Sequence, residues 1–206
     1  MNLKETYIEA LNAIDHDKCI LILDEYLCSK HVNFDEAFDL VSQALSLSVN
    51  CATDEIWTEH AKTQIVRSSI ELLSVHIIKN TPLRNQEKIA VICPHGEYHE
   101  LGARVVSEAI RKEGYNVLFL GNSLPNKDIV KLVKSSDLKA IVFSISNFFT
   151  MHSINPVIDE INKIKPDLKI ILGGQAINHN PSQIHGENCE LCTTFDQLKE
   201  VLEAIK

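Results

Sequence analysis

The distribution of glycine constrains this sequence most strongly. All seven glycines lie at or after Gly96, so the first 95 residues contain none. Glycine marks tight turns and close approaches of the backbone, so a glycine-free stretch favours packed helices joined by short polar turns. We therefore expect two parts, a helical bundle at residues 1–80 and a second domain at residues 88–206, joined by a polar linker at residues 81–87.

The first part is predicted to form four helices. Its apolar residues recur at intervals of three and four, which places them on one face of each helix. Asp15 or Asp17 is the expected N-cap of the second helix, because a short polar side chain can accept a hydrogen bond from a free helical N–H. Asn33 is the expected N-cap of the third helix, and the fourth is expected to begin at Thr53. Four such helices form a small bundle.

The second part alternates short apolar runs with amphipathic segments. The predicted strands span residues 88–93, 116–120, 139–144, 168–172 and 190–193, and the predicted helices span residues 101–112, 126–134, 150–163 and 195–205. Continuous apolar strands separated by helices indicate a parallel sheet covered on both faces. The predicted fold class is α/β, with the helical bundle followed by a flavodoxin-like or Rossmann-like, doubly wound sheet of five parallel strands.

Composition and charge exclude several classes of protein. The formal net charge of -8 argues against direct binding to nucleic acid, because such surfaces are usually basic. No apolar run is long enough to cross a bilayer, and the N-terminus lacks the apolar region of a secretory signal. A cytoplasmic protein with mostly free thiols among its six cysteines is therefore expected. The pair Cys189 and Cys192 forms a CxxC motif, which we interpret as structural coincidence.

Three short motifs fall at the predicted carboxyl ends of strands, where sheets of this kind bind ligands. They are Glu97–Gly102 (EYHELG), Ser144–Ser146 (SIS) and Gly173–Gly174. The first and second are separated by 41 residues, and the second and third by 26. Taken together, they resemble the cobalamin-binding domain shared by methionine synthase, corrinoid shuttle proteins and light-sensing MerR-type regulators. That family carries D/E-x-H-x-x-G, S-x-L and G-G at similar spacings.

The resemblance implies base-off/His-on binding of cobalamin, with His99 as the lower axial ligand of cobalt. Imidazole is a suitable ligand for this metal. Glu97 is expected to accept a hydrogen bond from the other ring nitrogen, which fixes the tautomer of the histidine. Gly102 would let the displaced nucleotide tail pass between sheet and helix. Ser144, from the same motif as Ser146, would hydrogen-bond the detached base.

Gly173 and Gly174 are expected, on the same resemblance, to leave room for that base against the backbone. Two other classes of α/β domain fit the sequence less well. A receiver domain needs paired acids after the first strand, where Pro94 and His95 stand. A dinucleotide-binding domain needs G-x-G-x-x-G at this place, and that pattern is absent.

The resemblance also implies that the helical part covers the upper face of the corrin. Such caps often carry W-x9-E-H, and Glu59 with His60 matches the E-H pair. Val49 stands where the tryptophan is expected, and the single tryptophan is Trp57. Trp57 is interpreted either as a residue of the bundle core or as a substitute for the missing indole. The upper ligand is left open between methyl, hydroxyl or water, and adenosyl.

Three functions fit this set of residues. The preferred hypothesis is a sensor or regulatory module, a photoreceptor in one version, that acts through a protein partner or a change of oligomeric state. It is favoured by Glu97 in place of aspartate and by the regulator-like run Glu100–Arg104. The alternative is a corrinoid shuttle that carries a methyl group for a methyltransferase system, and a haem-binding sensor ranks below both. A cofactor-binding sensor or carrier is thus expected rather than a complete enzyme.

Overall fold

The chain forms two compact units, Met1–Pro82 and Leu83–Lys206. The computed structural model describes residues 2–49, 55–84, 88–186 and 188–205. Within these ranges, no helix combines the length and apolar character needed to span a membrane. The predicted linker at residues 81–87 stays a prediction, because its last three residues lie outside the described ranges.

The first unit contains four helices in its described residues. They are α1 (Leu3–Asn12), α2 (His16–Leu27), α3 (Phe34–Val49) and α4 (Ile56–Asn80). Two predicted N-caps are confirmed, since Asp15 Oδ1 accepts the N–H of Lys18 at 3.1 Å and Asn33 Oδ1 accepts that of Asp35 at 2.9 Å. The predicted start of the fourth helix at Thr53 lies outside the described residues.

The core of the helical unit is fixed by both packing and polar pairing. Tyr7 on α1 is fully buried, and its hydroxyl lies 2.7 Å from Ser69 Oγ on α4. A buried hydroxyl without a partner is costly, so this pair specifies how α1 and α4 meet. Trp57 is 61% exposed, so its interpretation as a residue of the bundle core is wrong. Its position in the first turn of α4 leaves the indole outside the packed helix face.

The second unit is a five-stranded sheet in which every pair of neighbouring strands is parallel. The strands are β1 (Lys88–Ile92), β2 (Asn116–Phe119), β3 (Leu138–Ser144), β4 (Lys169–Gly173) and β5 (Cys189–Leu191). The helices are α5 (Leu101–Lys112), α6 (Asn126–Ser135), α7 (Phe148–Ile164), α8 (Gln175–His179) and α9 (Phe195–Ala204). The predicted α/β fold class is confirmed, whereas the short α8 and the 3-10 turn Pro181–Gln183 were not predicted.

Both faces of the sheet are buried, as its continuous apolar strands indicate. Successive side chains of β1 alternate between the two faces. Ile89 and Val91 pack in the cluster that contains residues of α5 and α9. Ala90 and Ile92 pack in the larger cluster with residues of α6, α7 and α8.

The strand order β2-β1-β3-β4-β5 creates a switch point beside β1. The chain leaves β1 toward β2 on one side and later returns to β3 on the other side. Loops that leave in opposite directions open a crevice at the carboxyl ends of the strands, where sheets of this kind bind ligands. Ser144, the last residue of β3, pairs with Gly173, the last residue of β4. The three sequence motifs therefore lie side by side on one edge of the sheet.

Candidate functional site

The carboxylate of Glu97 is the centre of this edge, and the residue is fully buried. Its Oε1 accepts the backbone N–H of His99 at 3.0 Å and lies 2.8 Å from His99 Nδ1. Its Oε2 accepts the backbone N–H groups of Ser146 and Asn147 at 2.7 and 2.8 Å. One buried side chain thus joins the loop after β1 to the loop after β3.

The hydrogen bonds decide the protonation state of Glu97. Burial by itself raises the pKa of this carboxyl group, because it disfavours the charged form. The backbone N–H groups of His99, Ser146 and Asn147, together with the His99 ring, outweigh burial and bring the pKa below its usual value. Glu97 is therefore an ionised acceptor at neutral pH.

The imidazole of His99 is held on one side and open on the other. Its side chain is 78% exposed, while Nδ1 lies against the Glu97 carboxylate and 3.2 Å from Ser146 Oγ. An ionised acceptor at Nδ1 selects the tautomer that carries the proton there. The lone pair is then on Nε2, which is the arrangement that a metal-binding histidine needs.

The loop that carries His99 is anchored to the loop after β2. The N–H of Gly96 donates to Ser123 Oγ at 3.2 Å, and the N–H of Ser123 donates to the carbonyl of Glu97 at 2.9 Å. The N–H of Leu124 donates to the carbonyl of Cys93 at 3.2 Å. Backbone bonds on both sides of Glu97 therefore fix the position from which the imidazole projects.

The part of this edge beyond His99 carries small residues. Gly102 is exposed and Ser144 is half-buried, and a Cβ placed on Gly102 would lie 3.9 Å from Ser144 Oγ. An added methyl group would make only ordinary contact with the protein there. The space beside Gly102 is consequently not filled by neighbouring side chains.

Gly173 and Gly174 stand where a Cβ atom would clash with the backbone, a steric constraint that the sequence did not reveal. A Cβ on Gly173 would lie 2.8 Å from the carbonyl oxygen of Cys192. Gly174 has a φ of +108°, and its Cβ would lie 2.4 Å from the carbonyl oxygen of Ile145. The N–H of Ile145 donates to the carbonyl of Gly173 at 2.8 Å, so the end of β4 presses directly on the loop after β3.

Several residues of the edge were missed in the sequence. Asn147 is the N-cap of α7, with its Oδ1 accepting the N–H of Phe149 at 2.9 Å. An asparagine before an apolar helical pattern was a usable signal, but the helix was predicted to begin at Thr150. Tyr98 lies in the loop after β1 and Phe149 lies in the first turn of α7, and their side chains are 68% and 86% exposed. The edge therefore offers aromatic surface as well as an imidazole.

The cysteines of this unit are free thiols, as are all five that the structure describes. Burial raises the pKa of Cys93 to about 12 and those of Cys189 and Cys192 to about 11. Metals bind the thiolate form, so these neutral thiols are poor ligands. Cys93 is fully buried in the core, with Sγ 3.9 Å from the carbonyl of His99.

The other predicted site residues belong to the helical unit. Val49 is the last residue of α3 and is 46% exposed. Trp57, Glu59 and His60 lie in the first turns of α4, with His60 exposed and Glu59 partly exposed. Their predicted role toward an upper ligand stays a prediction.

Comparison with protein families gives one match that covers more than half of the chain. A family model described as the B12 binding domain matches residues 87–206. Among curated proteins, the methanol–corrinoid protein of Methanosarcina barkeri (strain Fusaro / DSM 804) is 24% identical over 104 residues. That match covers 50% of this chain and 40% of the relative, so it spans less than half of the relative's length.

Two solved structures share the fold over nearly the whole chain. The monomethylamine corrinoid protein of Methanosarcina barkeri has a TM-score of 0.73 and 17% identity, with 96% of each chain covered. A cobalamin-binding protein from Desulfitobacterium hafniense DCB-2 has a TM-score of 0.53 and 18% identity, with 100% of this chain and 98% of that chain covered. At such identities the likeness concerns the fold: a helical N-terminal region followed by a parallel sheet.

Proposed function

This chain belongs to the B12-binding domain family and is a cobalamin-binding corrinoid protein, and from this premise we propose that it carries a methyl group for a methyltransferase system. When bound, cobalamin would supply the cobalt ion that accepts and releases the methyl group. The chain's own residues would hold that cobalt and orient the cofactor. The observation that supports cobalt binding is the exposed imidazole of His99 held by the buried Glu97 carboxylate, and the similar corrinoid proteins favour methyl transfer over sensing.

His99 and Glu97 have the roles of ligand and orienting group in this proposal. With Nδ1 occupied by Glu97, His99 would coordinate cobalt through Nε2. Nitrogen donors of this kind suit cobalt, a borderline metal. The ionised carboxylate also makes the imidazole a stronger donor, because it stabilises positive charge that develops on the ring.

The small residues would hold the detached base of the cofactor. Gly102 and Ser144 border space that neighbouring side chains leave open, and Ser144 offers a hydroxyl to a ring nitrogen. Gly173 and Gly174 keep β4 close to the loop after β3 and expose backbone at the same edge. A flat aromatic base could lie against these atoms without meeting a bulky side chain.

The methyl-carrying function is preferred because of the proteins that this chain resembles. Two of the similar proteins are corrinoid proteins whose names refer to methanol and to monomethylamine. Both names pair a one-carbon compound with a corrinoid. We therefore propose a methyltransferase as the protein partner of this chain.

A sensor remains the second candidate because of two features of the loop after β1. Glu97 replaces the aspartate usual in methyl-carrying members, and Glu100–Arg104 resembles the regulators. A sensor would act through a partner or a change of oligomeric state. Only this second candidate would use light as its signal.

One experiment separates the two functions. The purified protein is loaded with a corrinoid that carries an isotopically labelled methyl group and is then mixed with methyltransferases encoded near its gene. Transfer of the label to or from this protein at a catalytic rate supports the carrier. Label that stays bound, together with a change of spectrum and oligomeric state on illumination, would instead establish the sensor.

Glu97→Gln is expected to weaken cobalamin binding about 10- to 100-fold, the usual effect of losing a partner of a metal ligand. One carboxylate oxygen becomes an amide NH2 that faces hydrogen-bond donors, which costs about 1 to 3 kcal/mol of folding free energy. Equilibrium titration with cobalamin and chemical denaturation measure the two effects. Glu200→Gln, which changes an exposed carboxylate on α9, is the matched control and should change neither. Unchanged affinity in Glu97→Gln would contradict the orienting role.

Gly102→Ala and Gly102→Leu are expected to fold normally and to bind cobalamin progressively less well. Alanine makes only ordinary contact at this position and improves helix propensity by up to about 1 kcal/mol. The added side chain, however, occupies the space proposed for the nucleotide tail. The control is a corrinoid that lacks this tail, whose affinity should not change. Equal losses for both corrinoids would place the tail elsewhere.

A further inference from the structure

Three side chains of types that commonly bind metals meet within the helical unit. Asp24 lies on α2, Cys28 is the C-cap of α2, and His76 lies on α4. A separation of four residues places Asp24 and Cys28 on the same helix face. The possible ligand atoms of all three side chains lie within 4.8 Å of one another.

The distances are close to those that one metal ion would impose. Asp24 Oδ1 lies 3.6 Å from His76 Nε2 and 3.9 Å from Cys28 Sγ. In a tetrahedral zinc site, two ligand atoms are about 3.4 to 3.6 Å apart, as follows from zinc–ligand bonds of about 2.1 to 2.3 Å. A separation of 3.6 Å is too long for a good hydrogen bond between His76 and Asp24. The Cys28 thiol donates to Asp24 Oδ1, and His76 Nε2 lies just beyond hydrogen-bond distance of the same oxygen, so a shared ion would shorten both separations.

We propose that Asp24, Cys28 and His76 bind one zinc ion, with water in the fourth coordination position. The side chain of His76 is 14% exposed and that of Asp24 is 49% exposed, and Cys28 is exposed. One ligand thus comes from within the helix packing, and the other two face solvent. Three protein ligands with one open position are a familiar zinc arrangement.

The donor set selects the class of ion. A thiolate and an imidazole favour zinc and similar transition ions, whereas magnesium and calcium prefer oxygen ligands throughout. Binding forms bonds from the ion to Sγ, Nε2 and a carboxylate oxygen and releases the Cys28 thiol proton to solvent. The thiolate and the carboxylate together balance the two positive charges of the ion.

The site does not depend on the proposed corrinoid function. Its three residues all belong to the first unit, and the proposed cobalt ligand belongs to the second. Zinc would link α2 to α4 and stabilise the folded helical unit, because an ion that binds only the folded state shifts the unfolding equilibrium. Failure of the zinc site would leave the role of His99 untouched, and the reverse is equally true.

The test is zinc titration of the full chain against a chromophoric chelator, followed by X-ray absorption at the zinc edge. This edge is specific for zinc, so cobalt in the cofactor does not interfere. We expect one zinc per chain, with one sulfur and with nitrogen or oxygen as the remaining ligands. Titration of His99→Ala should give the same affinity, which excludes zinc bound at the exposed imidazole of the second unit.

Single variants then assign the ligands. Cys28→Ser, Asp24→Asn and His76→Gln should each weaken zinc binding at least tenfold, with circular dichroism and cobalamin affinity unchanged. Glu25→Gln removes a neighbouring exposed carboxylate outside the cluster and should bind zinc like the unmodified chain. The proposal is overturned by the absence of bound zinc, by a zinc spectrum without sulfur, or by unmodified affinity in Cys28→Ser.

Discussion

Replacing His99 with alanine is expected to weaken cobalamin binding by more than about 100-fold, because loss of a metal ligand exceeds the loss of its orienting partner. The remaining complex should show the visible spectrum of a cofactor whose cobalt has no histidine ligand. Folding should be nearly unaffected, since the side chain is 78% exposed and the backbone N–H of residue 99 keeps its bond to Glu97. Titration followed by absorption spectroscopy measures the affinity and the ligand together.

Two controls make this result specific. His95→Ala removes an exposed imidazole from the same loop and should leave both affinity and spectrum unchanged. Free imidazole added to His99→Ala should restore part of the original spectrum, because the missing ligand is then supplied from solution. A spectrum that stays the same in His99→Ala would assign the lower ligand to another group and remove the central support of the proposed function.

Gly174→Ala is expected to destabilise the second unit by about 2 to 5 kcal/mol, the sum of backbone strain and overpacking. The φ of +108° disfavours any residue with a Cβ, and this Cβ would lie 2.4 Å from the carbonyl oxygen of Ile145. That oxygen also accepts the N–H of Ala176 at 3.2 Å, so it cannot move without disturbing the start of α8. Denaturant unfolding of the full chain measures the loss.

Gly102→Ala is the matched control, because it adds the same methyl group where the nearest atom is 3.9 Å away. Its unfolding free energy should equal or slightly exceed that of the unmodified protein. The contrast between the two variants separates a glycine required by the fold from one proposed to serve the ligand. Equal stability of Gly174→Ala and the unmodified chain would show that the loop after β3 can move enough to accommodate the added methyl group.

Local patterns were sufficient to predict the fold class. Apolar runs and their spacing predicted the parallel sheet, and Asp15 and Asn33 were recognised as caps because a cap depends on residues within one turn. The short α8 was missed, since five residues after Gly174 carry too little periodicity to indicate a helix. Trp57 was partly misjudged because exposure of an aromatic side chain depends on the neighbouring helices, which the sequence does not position.

Only part of the candidate site could be predicted from the sequence, for a similar reason. The resemblance supplied the pairing of Glu97 with His99, which are two residues apart. The bonds from Glu97 to the N–H groups of Ser146 and Asn147 join residues 49 and 50 positions apart, and they exist because β1 and β3 are neighbours. Likewise, the close approach of Gly174 to Ile145 depends on the register of β3 and β4. Contacts of this range follow from topology rather than from local pattern.

The two oxygens of Glu97 give the site a mechanical property. One oxygen holds the imidazole and the other holds the N–H groups just before α7, within a single rigid, planar group. Displacement of the ring along its axis must therefore be absorbed by a turn of the carboxylate or by the first turn of that helix. Phe149, 86% exposed in this turn, would shift with it. Contact of a second protein with that aromatic ring would therefore be coupled to the position of the His99 imidazole.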